Sequence, residues 1–186
     1  MVLGAIGSDG YKIVLILHIL TVVVGIGAVM LNGIYGAQAK ARRGPEGLAI
    51  VEANLKVSEI ANYFIYAIPV FGIALVFMSK TGGVQVFKFS QTWIWLALLL
   101  YIVAMGISHG VMFPTVKKMT GLMKELNAMG PPPAGGPPPG AGGPPPQVGQ
   151  MEALGKRLAA GGAALNVITV LLIFLMVWKP GAPGSF

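Results

Sequence analysis

Two histidines lie inside long apolar runs of the chain and are the residues most suited to bind a cofactor. His18 is in the first run, and His109 is in the third. Ionisable residues inside apolar segments are rare and usually functional, and a neutral imidazole is a common ligand of haem iron and of metal ions. We therefore predict His18 as a ligand of haem iron or of a metal ion and His109 as a second cofactor-binding residue.

A structural role is the alternative for each histidine. His18 is expected to have Thr21 and Tyr101 nearby and otherwise apolar neighbours, so it has few hydrogen-bonding partners, which favours a ligand role. His109 is expected at the depth of several amides and hydroxyls, where interhelical hydrogen bonds alone would be enough to hold it. Three roles stay open for His109: a ligand, a proton-handling group and a packing residue.

The expected depths of the two histidines argue against one shared haem. At about 1.5 Å of rise per residue, His18 and His109 are predicted about 15 Å apart along the helix axes. Two axial ligands of a haem must lie opposite each other across the iron. The sequence therefore predicts two separate sites, or one site and one structural histidine.

The composition is that of an integral membrane protein. Of 186 residues, 55% are hydrophobic and only 10% are charged, whereas about a quarter of a soluble domain is charged. The absence of cysteine excludes disulfides and thiolate metal sites. No catalytic residue is assigned, because no nucleophile–base pair is apparent. The net charge of +7 comes from basic residues at the ends of apolar runs, so no nucleic-acid partner is expected.

Four apolar stretches have the length of about 20 residues that a spanning helix needs. They predict an all-α fold, a membrane-spanning antiparallel four-helix bundle that forms a single domain over residues 1–186, with the lipid bilayer as its surroundings. The predicted spans are about 12–36, 60–79, 92–116 and 158–178.

Small and polar side chains indicate which faces of these helices meet, because membrane helices pack through such residues. Their spacings of three and four place them on one side of each helix. The predicted faces are His18, Thr21, Gly25, Ala28 and Asn32; Asn62, Tyr66, Pro69 and Ile73; Trp95, Leu99, Ile102, Gly106 and His109; and Gly155, Ala159, Gly162, Asn166 and Thr169. Besides the histidines, the polar bundle interior is predicted to contain Thr21, Asn32, Asn62, Tyr66 and Asn166.

Lysine and arginine are shared unequally among the connections. The loop after the first span and the long loop after the third contain most of them, whereas the termini and residues 80–91 contain few. Because cytoplasmic loops are enriched in Lys and Arg, both termini are predicted outside. The long loop contains GPPPAGGPPPGAGGPPP, and Pro and Gly in this density predict a disordered cytoplasmic segment over 130–149.

Three segments resemble a family of small bacterial predicted integral membrane proteins, a domain of unknown function. They are LILHILTVVVGIGAVMLNGIYGAQAKAR, TWIWLALLLYIV and LLIFLMVWKP. That family is similar in layout to copper-resistance D-type proteins and to the bacterial four-helix protoporphyrinogen oxidase. The resemblance implies a bacterial inner (plasma) membrane location and a haem b or copper site at His18. Neither activity is carried over, because the third span has no lysine before Lys117 and the chain lacks metal-binding loops.

Two functional hypotheses follow from these patterns. In the first, an intramembrane histidine binds haem b, or copper as the less favoured alternative, and the protein supports electron transfer. In the second, the chain binds no cofactor and is an accessory or structural subunit of a larger membrane complex, for example a respiratory one. The expected partners are then other membrane subunits or further copies of the chain.

Overall fold

Helices make up most of the chain in a computed structural model, which describes residues 5–42, 44–130 and 146–182. This confirms the predicted all-α class, apart from a small hairpin of β1 (Lys80–Thr81) and β2 (Val84–Gln85) that joins two helices. The helices are α1 (Asp9–Met30), α2 (Asn32–Arg42), α3 (Gly44–Phe77), α4 (Thr92–Ile107), α5 (Phe113–Ala128) and α6 (Pro146–Trp178), with a π-helical segment (Ser108–Met112) between α4 and α5.

Consecutive helices combine into longer rods. The described chain contains four helical stretches that are long and apolar enough to cross a membrane. Each covers most of one predicted span and extends beyond it, as expected of a multi-pass membrane protein, while the crossing itself and the antiparallel four-helix bundle stay predictions. Their bounds are Asp9–Arg42, Gly44–Phe77, Thr92–Ala128 and Gln147–Trp178.

The last four residues of the predicted disordered loop over 130–149 are helical. Residues 146–149 belong to α6, which begins at Pro146. Proline is well tolerated in the first turn of a helix, because the first N–H groups have no partner inside the helix. The rest of the Pro-rich segment, residues 131–145, lies outside the described residues.

The first helix pair is antiparallel. Contacts from α1 and α2 move backwards along α3 as the chain advances: His18 contacts Ile68, and Asn32 contacts Ser58. The backbones of α1 and α3 approach closely at Gly25, where an added Cβ would lie 3.1 Å from the backbone nitrogen of Ile65. The face predicted for the first span is therefore the one that packs on α3.

A small core lies at the other end of α3, around the hairpin. Ser79 is fully buried there, and its Oγ donates to the carbonyl of Val76 at 2.6 Å and accepts from the amide of Phe87 at 2.9 Å. One hydroxyl thus joins the end of α3 to the segment that leads into α4. The buried apolar residues of this core are Val76, Trp93, Ile94, Ala97 and Leu175.

The helix α4 packs through a different face from the one predicted. It contacts α6 through the side that contains Trp93, Ile94 and Ala97, which are buried. Because α4 is apolar on every side, the spacing of its small residues does not select one face. The residues of the predicted face are exposed, and of these His109 contacts another helix through Tyr66 of α3. They are Trp95, Leu99, Ile102, Gly106 and His109.

The packing face of α6 also differs from the predicted face. Gly161, the neighbour of the predicted Gly162, approaches another helix: an added Cβ there would lie 2.6 Å from Sδ of Met112, whereas Gly162 has open space. Ile168 is buried on this side, and Asn166 is exposed. The thioether of Met112 fits closely against Gly161, and this contact determines which face of α6 packs.

Pro69 lies inside α3 and changes its hydrogen bonding. Proline has no N–H, so the carbonyl of Ile65 lacks the donor that a regular helix would provide. The hydroxyl of Tyr101 on α4 donates to this carbonyl at 3.2 Å. Pro69 and Tyr101 therefore form a coupled pair that ties α4 to α3.

We expect Tyr101→Phe to lower the free energy of unfolding by about 1 kcal/mol, because it leaves the Ile65 carbonyl without a donor. In a Pro69→Ala background the alanine N–H can replace the tyrosine, so the same change should have a much smaller effect. A double-mutant cycle measured by unfolding in mixed micelles tests this coupling. Equal effects in both backgrounds would contradict it, and the exposed Tyr35→Phe is the control.

Candidate functional site

His18 is half-buried on α1 and points at α3. Its Nδ1 lies 3.1 Å from the carbonyl oxygen of Ile68. A carbonyl oxygen can only accept, so Nδ1 carries the proton and Nε2 has the free lone pair. Within the part of the chain that the structure describes, Nε2 has no hydrogen-bond partner. One ring nitrogen of the imidazole is thus hydrogen-bonded, and the lone pair of the other is available to a ligand.

The surroundings of His18 leave room for its ring. Gly72 of α3 lies beside the imidazole, and an added Cβ at Gly72 would come within 3.3 Å of Cε1. The hydroxyl of Thr21 donates to the carbonyl of His18 at 2.8 Å and makes no contact with the ring. A ligand histidine usually donates its second ring N–H to a backbone carbonyl. The arrangement at His18 fits that pattern for one axial nitrogen.

His109 lies in the π-helical segment and pairs with Tyr66 of α3. Its Nε2 is 2.6 Å from the phenolic oxygen, and its Nδ1 is 3.2 Å from the carbonyl of Met105. Nδ1 therefore carries the proton, and Nε2 accepts the O–H of Tyr66. Both side chains are exposed. Single π-helical turns inside α-helices are frequent at functional sites.

The two histidines contact opposite sides of α3. Their partners, Ile68 and Tyr66, are two residues apart, which is about 200° around a helix of 3.6 residues per turn. No side chain in the described ranges contacts both imidazoles through a hydrogen bond. His18 and His109 therefore belong to separate places in the fold, and their cofactor-binding roles stay predictions.

Asn62 lies one turn before Tyr66 on the same side of α3. Only 9% of its surface is exposed. Among the described residues its amide has no hydrogen-bond partner, although it lines a cavity of about 270 Å³. Unlike the buried unpaired amide atoms of Asn54 and Asn127, the amide of Asn62 borders this cavity and is open to it.

A second cavity of about 250 Å³ continues from the first, because both are lined by Lys56 and Glu59. The first is an open depression on α3, and the second lies between α3 and α5; the two together are called the polar groove. The first cavity is lined by Lys56, Glu59, Ile60, Asn62, Tyr63 and Tyr66. The second is lined by Glu52, Leu55, Lys56, Glu59, Thr120 and Lys124.

The charges in the polar groove are compensated. Lys124 lies 2.8 Å from a carboxylate oxygen of Glu52, and Lys56 lies 3.4 Å from Glu59. These pairs are well exposed to solvent, so each stabilises the fold only weakly. Their main consequence is that the groove presents little net charge to a ligand.

The remaining predicted interior residues occupy different environments. Thr21 is buried between α1 and α3, and Asn32 is half-buried and accepts a hydrogen bond from Ser58 at 3.3 Å. Asn166 is exposed on α6 and has no hydrogen-bond partner within residues 5–42, 44–130 and 146–182. The polar side chains are therefore divided among the α1–α3 contact, the polar groove and the outer surface of α6.

Sequence reasoning identified Asn62, Tyr66 and His109 but missed the polar groove that connects Asn62 and Tyr66 to the charged end of α3. A signal was present, because Leu55, Glu59, Asn62 and Tyr66 recur at spacings of four, three and four, as residues on one helical face do. The π-helical segment had no such signal.

Comparison with protein-family models, with curated proteins and with solved structures finds no match to this chain. The resemblance of its apolar segments to small bacterial membrane proteins therefore stays a prediction, and the arguments for function come from the geometry of the chain itself.

Proposed function

We propose that this protein is an antiparallel bundle of four spans in the inner membrane of a bacterium, that it binds haem b through His18, and that it supports electron transfer. Copper is the less favoured occupant. The observation that carries the proposal is the imidazole of His18, whose Nδ1 is bonded to the Ile68 carbonyl while Nε2 is free. Both termini lie outside in this proposal, following the distribution of Lys and Arg.

The residues around His18 have defined tasks in this proposal. The Ile68 carbonyl orients the imidazole, fixes its tautomer and makes Nε2 a better donor to a metal. Gly72 leaves the space beside Cε1 that a larger side chain would fill. A bound haem would supply one-electron chemistry, and the chain would hold it through Nε2 of His18 in an apolar environment.

The absorption spectrum of the purified protein, oxidised and then reduced, tests this proposal. We expect a Soret band that shifts on reduction and that disappears in His18→Gly. Imidazole added to His18→Gly should restore the band, because it replaces the missing ligand in a folded protein. His109→Ala is the matched control and should keep the band. A flat visible spectrum in protein produced with ample haem, with no copper detected, would contradict the proposal.

The alternative is a cofactor-free accessory or structural subunit of a larger membrane complex. It is favoured by the exposed amide of Asn166 and by the face of α4 around Ile102 and Gly106 that no described helix covers. Polar and small residues of this kind are typical of contacts between membrane helices. A flat spectrum together with a subunit that stays bound after gentle solubilisation would select this alternative.

A further inference from the structure

The polar groove is lined by side chains that play no part at His18. Asn62 is buried, lacks a hydrogen-bond partner in the described ranges and lines the cavity of about 270 Å³. One turn further along α3, Tyr66 lines the same cavity and donates to His109 at 2.6 Å. The amide of Asn62 and the phenol of Tyr66 thus present two neutral hydrogen-bonding groups to the same cavity, where one ligand can contact both.

The charges of the polar groove favour a neutral ligand. Lys56 and Lys124 each have a carboxylate partner, at 3.4 and 2.8 Å. A phosphate or carboxylate ligand would have to compete with these partners. Asn62 and Tyr66, by contrast, are neutral groups that bond to neutral oxygens.

The spacing and walls of the cavity favour a flat ring. Asn62 and Tyr66 are four residues apart, so their backbone positions are separated by about 6 Å along the helix. Both side chains line one cavity, so a small ring can contact the two at once. Tyr63, which is 74% exposed, and Ile60, which is 52% exposed, form an apolar edge that opens away from the helices. A hydrocarbon tail attached to the ring can leave through that edge into lipid.

We propose that the polar groove binds the ring of an isoprenoid quinol, the two-electron-reduced form of a membrane quinone. The direction of the hydrogen bonds at Tyr66 follows from the backbone. The carbonyl of Met105 accepts from Nδ1 of His109, so Nε2 of His109 accepts from the hydroxyl of Tyr66. The phenolic oxygen of Tyr66 is then free to accept a hydrogen bond from a quinol hydroxyl. A quinone carbonyl only accepts and would meet this oxygen without a donor. The amide of Asn62 has both a donor and an acceptor, so it can hydrogen-bond to the second oxygen of either the quinol or the quinone.

Binding of a decyl-tailed benzoquinol, kept anaerobic and reduced, to the full chain in nanodiscs tests the proposal. We expect saturable binding above that of empty nanodiscs. The oxidised probe should bind about tenfold more weakly, because it loses about one hydrogen bond. Tyr66→Phe and Asn62→Leu should each weaken binding of the quinol by about tenfold.

Two control variants isolate the site. Asn166→Leu removes an exposed amide from α6, and Tyr35→Phe removes an exposed hydroxyl from α2, so both should bind the quinol as the unaltered chain does. If Asn62→Leu fails to fold, Tyr66→Phe alone decides, because Tyr66 is 43% exposed and its hydroxyl is not part of the packed core. Tyr66→Phe should leave any haem absorption unchanged, which separates this site from His18.

Three results would overturn the proposal. One is the absence of saturable uptake, which means that the groove holds only water. Another is unchanged quinol binding in both Tyr66→Phe and Asn62→Leu. The third is uptake of an anionic phospholipid that excludes the quinol from the groove.

Discussion

Replacing Gly25 by isoleucine is expected to lower the free energy of unfolding by about 1–3 kcal/mol, the range typical of overpacked contacts. A Cβ at Gly25 would lie 2.9 Å from Cγ1 of Ile65, 3.1 Å from its backbone nitrogen and 3.3 Å from Cβ of Phe64. A flexible side chain could move aside, but a backbone nitrogen inside α3 cannot without shifting the helix. The substitution should therefore push α1 away from α3.

Gly27→Ile provides the matched control for this prediction. Gly27 lies on the same helix two residues later, and an added Cβ there would meet nothing within 4 Å. Both changes add the same side chain to α1, so their effects on helix propensity are similar. Unfolding in mixed micelles should show a large loss for Gly25→Ile and little change for Gly27→Ile. Equal losses would mean that the close approach of α1 to α3 does not stabilise the fold.

Replacing Ser79 by alanine is expected to lower the free energy of unfolding by about 2 kcal/mol, because it leaves a buried donor without a partner. The hydroxyl of Ser79 accepts from the amide of Phe87 at 2.9 Å and donates to Val76 at 2.6 Å. Ser79 is completely buried, so water cannot take over these bonds. The segment between the hairpin and α4 should therefore loosen.

Hydrogen exchange at the amide of Phe87 measures this loosening directly. We expect the amide to exchange faster in Ser79→Ala, together with the loss of global stability. Ser90→Ala is the control, because Ser90 is exposed in the same connection and makes no side-chain hydrogen bond among the described residues. Unchanged protection of Phe87 in Ser79→Ala would show that the hydroxyl does not hold this segment.

The packing of the first span could be anticipated because glycine and threonine mark the place where two backbones come close. Thr21 and Gly25 recur four residues apart, and both are buried against α3. Only a residue without a side chain allows the approach seen at Gly25, so the residue type itself carries the information. The same reasoning pointed to His18, which lies on this side of α1 and contacts Ile68.

The packing face of α4 could not be predicted in the same way, because its glycine marks no close contact with another described helix. An added Cβ at Gly106 would meet nothing within 4 Å, so this glycine does not mark a contact among the described helices. Trp93 and Ile94 are buried instead, since the core around the hairpin selects them. In a span that is apolar on all sides, lipid and protein accept the same side chains, and periodicity does not separate them.

The amino-acid sequence by itself determined the helical class, the four apolar stretches and the histidines inside two of them, because each depends on residue type and on distance along the chain. Tertiary structure alone decided that Tyr66 meets His109, that Asn62 lacks a partner beside a cavity, and that His18 faces the other side of α3. Those relations depend on the rotation of each helix about its axis. That rotation is determined by a few close contacts, such as Gly25 on Ile65 and Gly161 on Met112, between residues far apart in the chain.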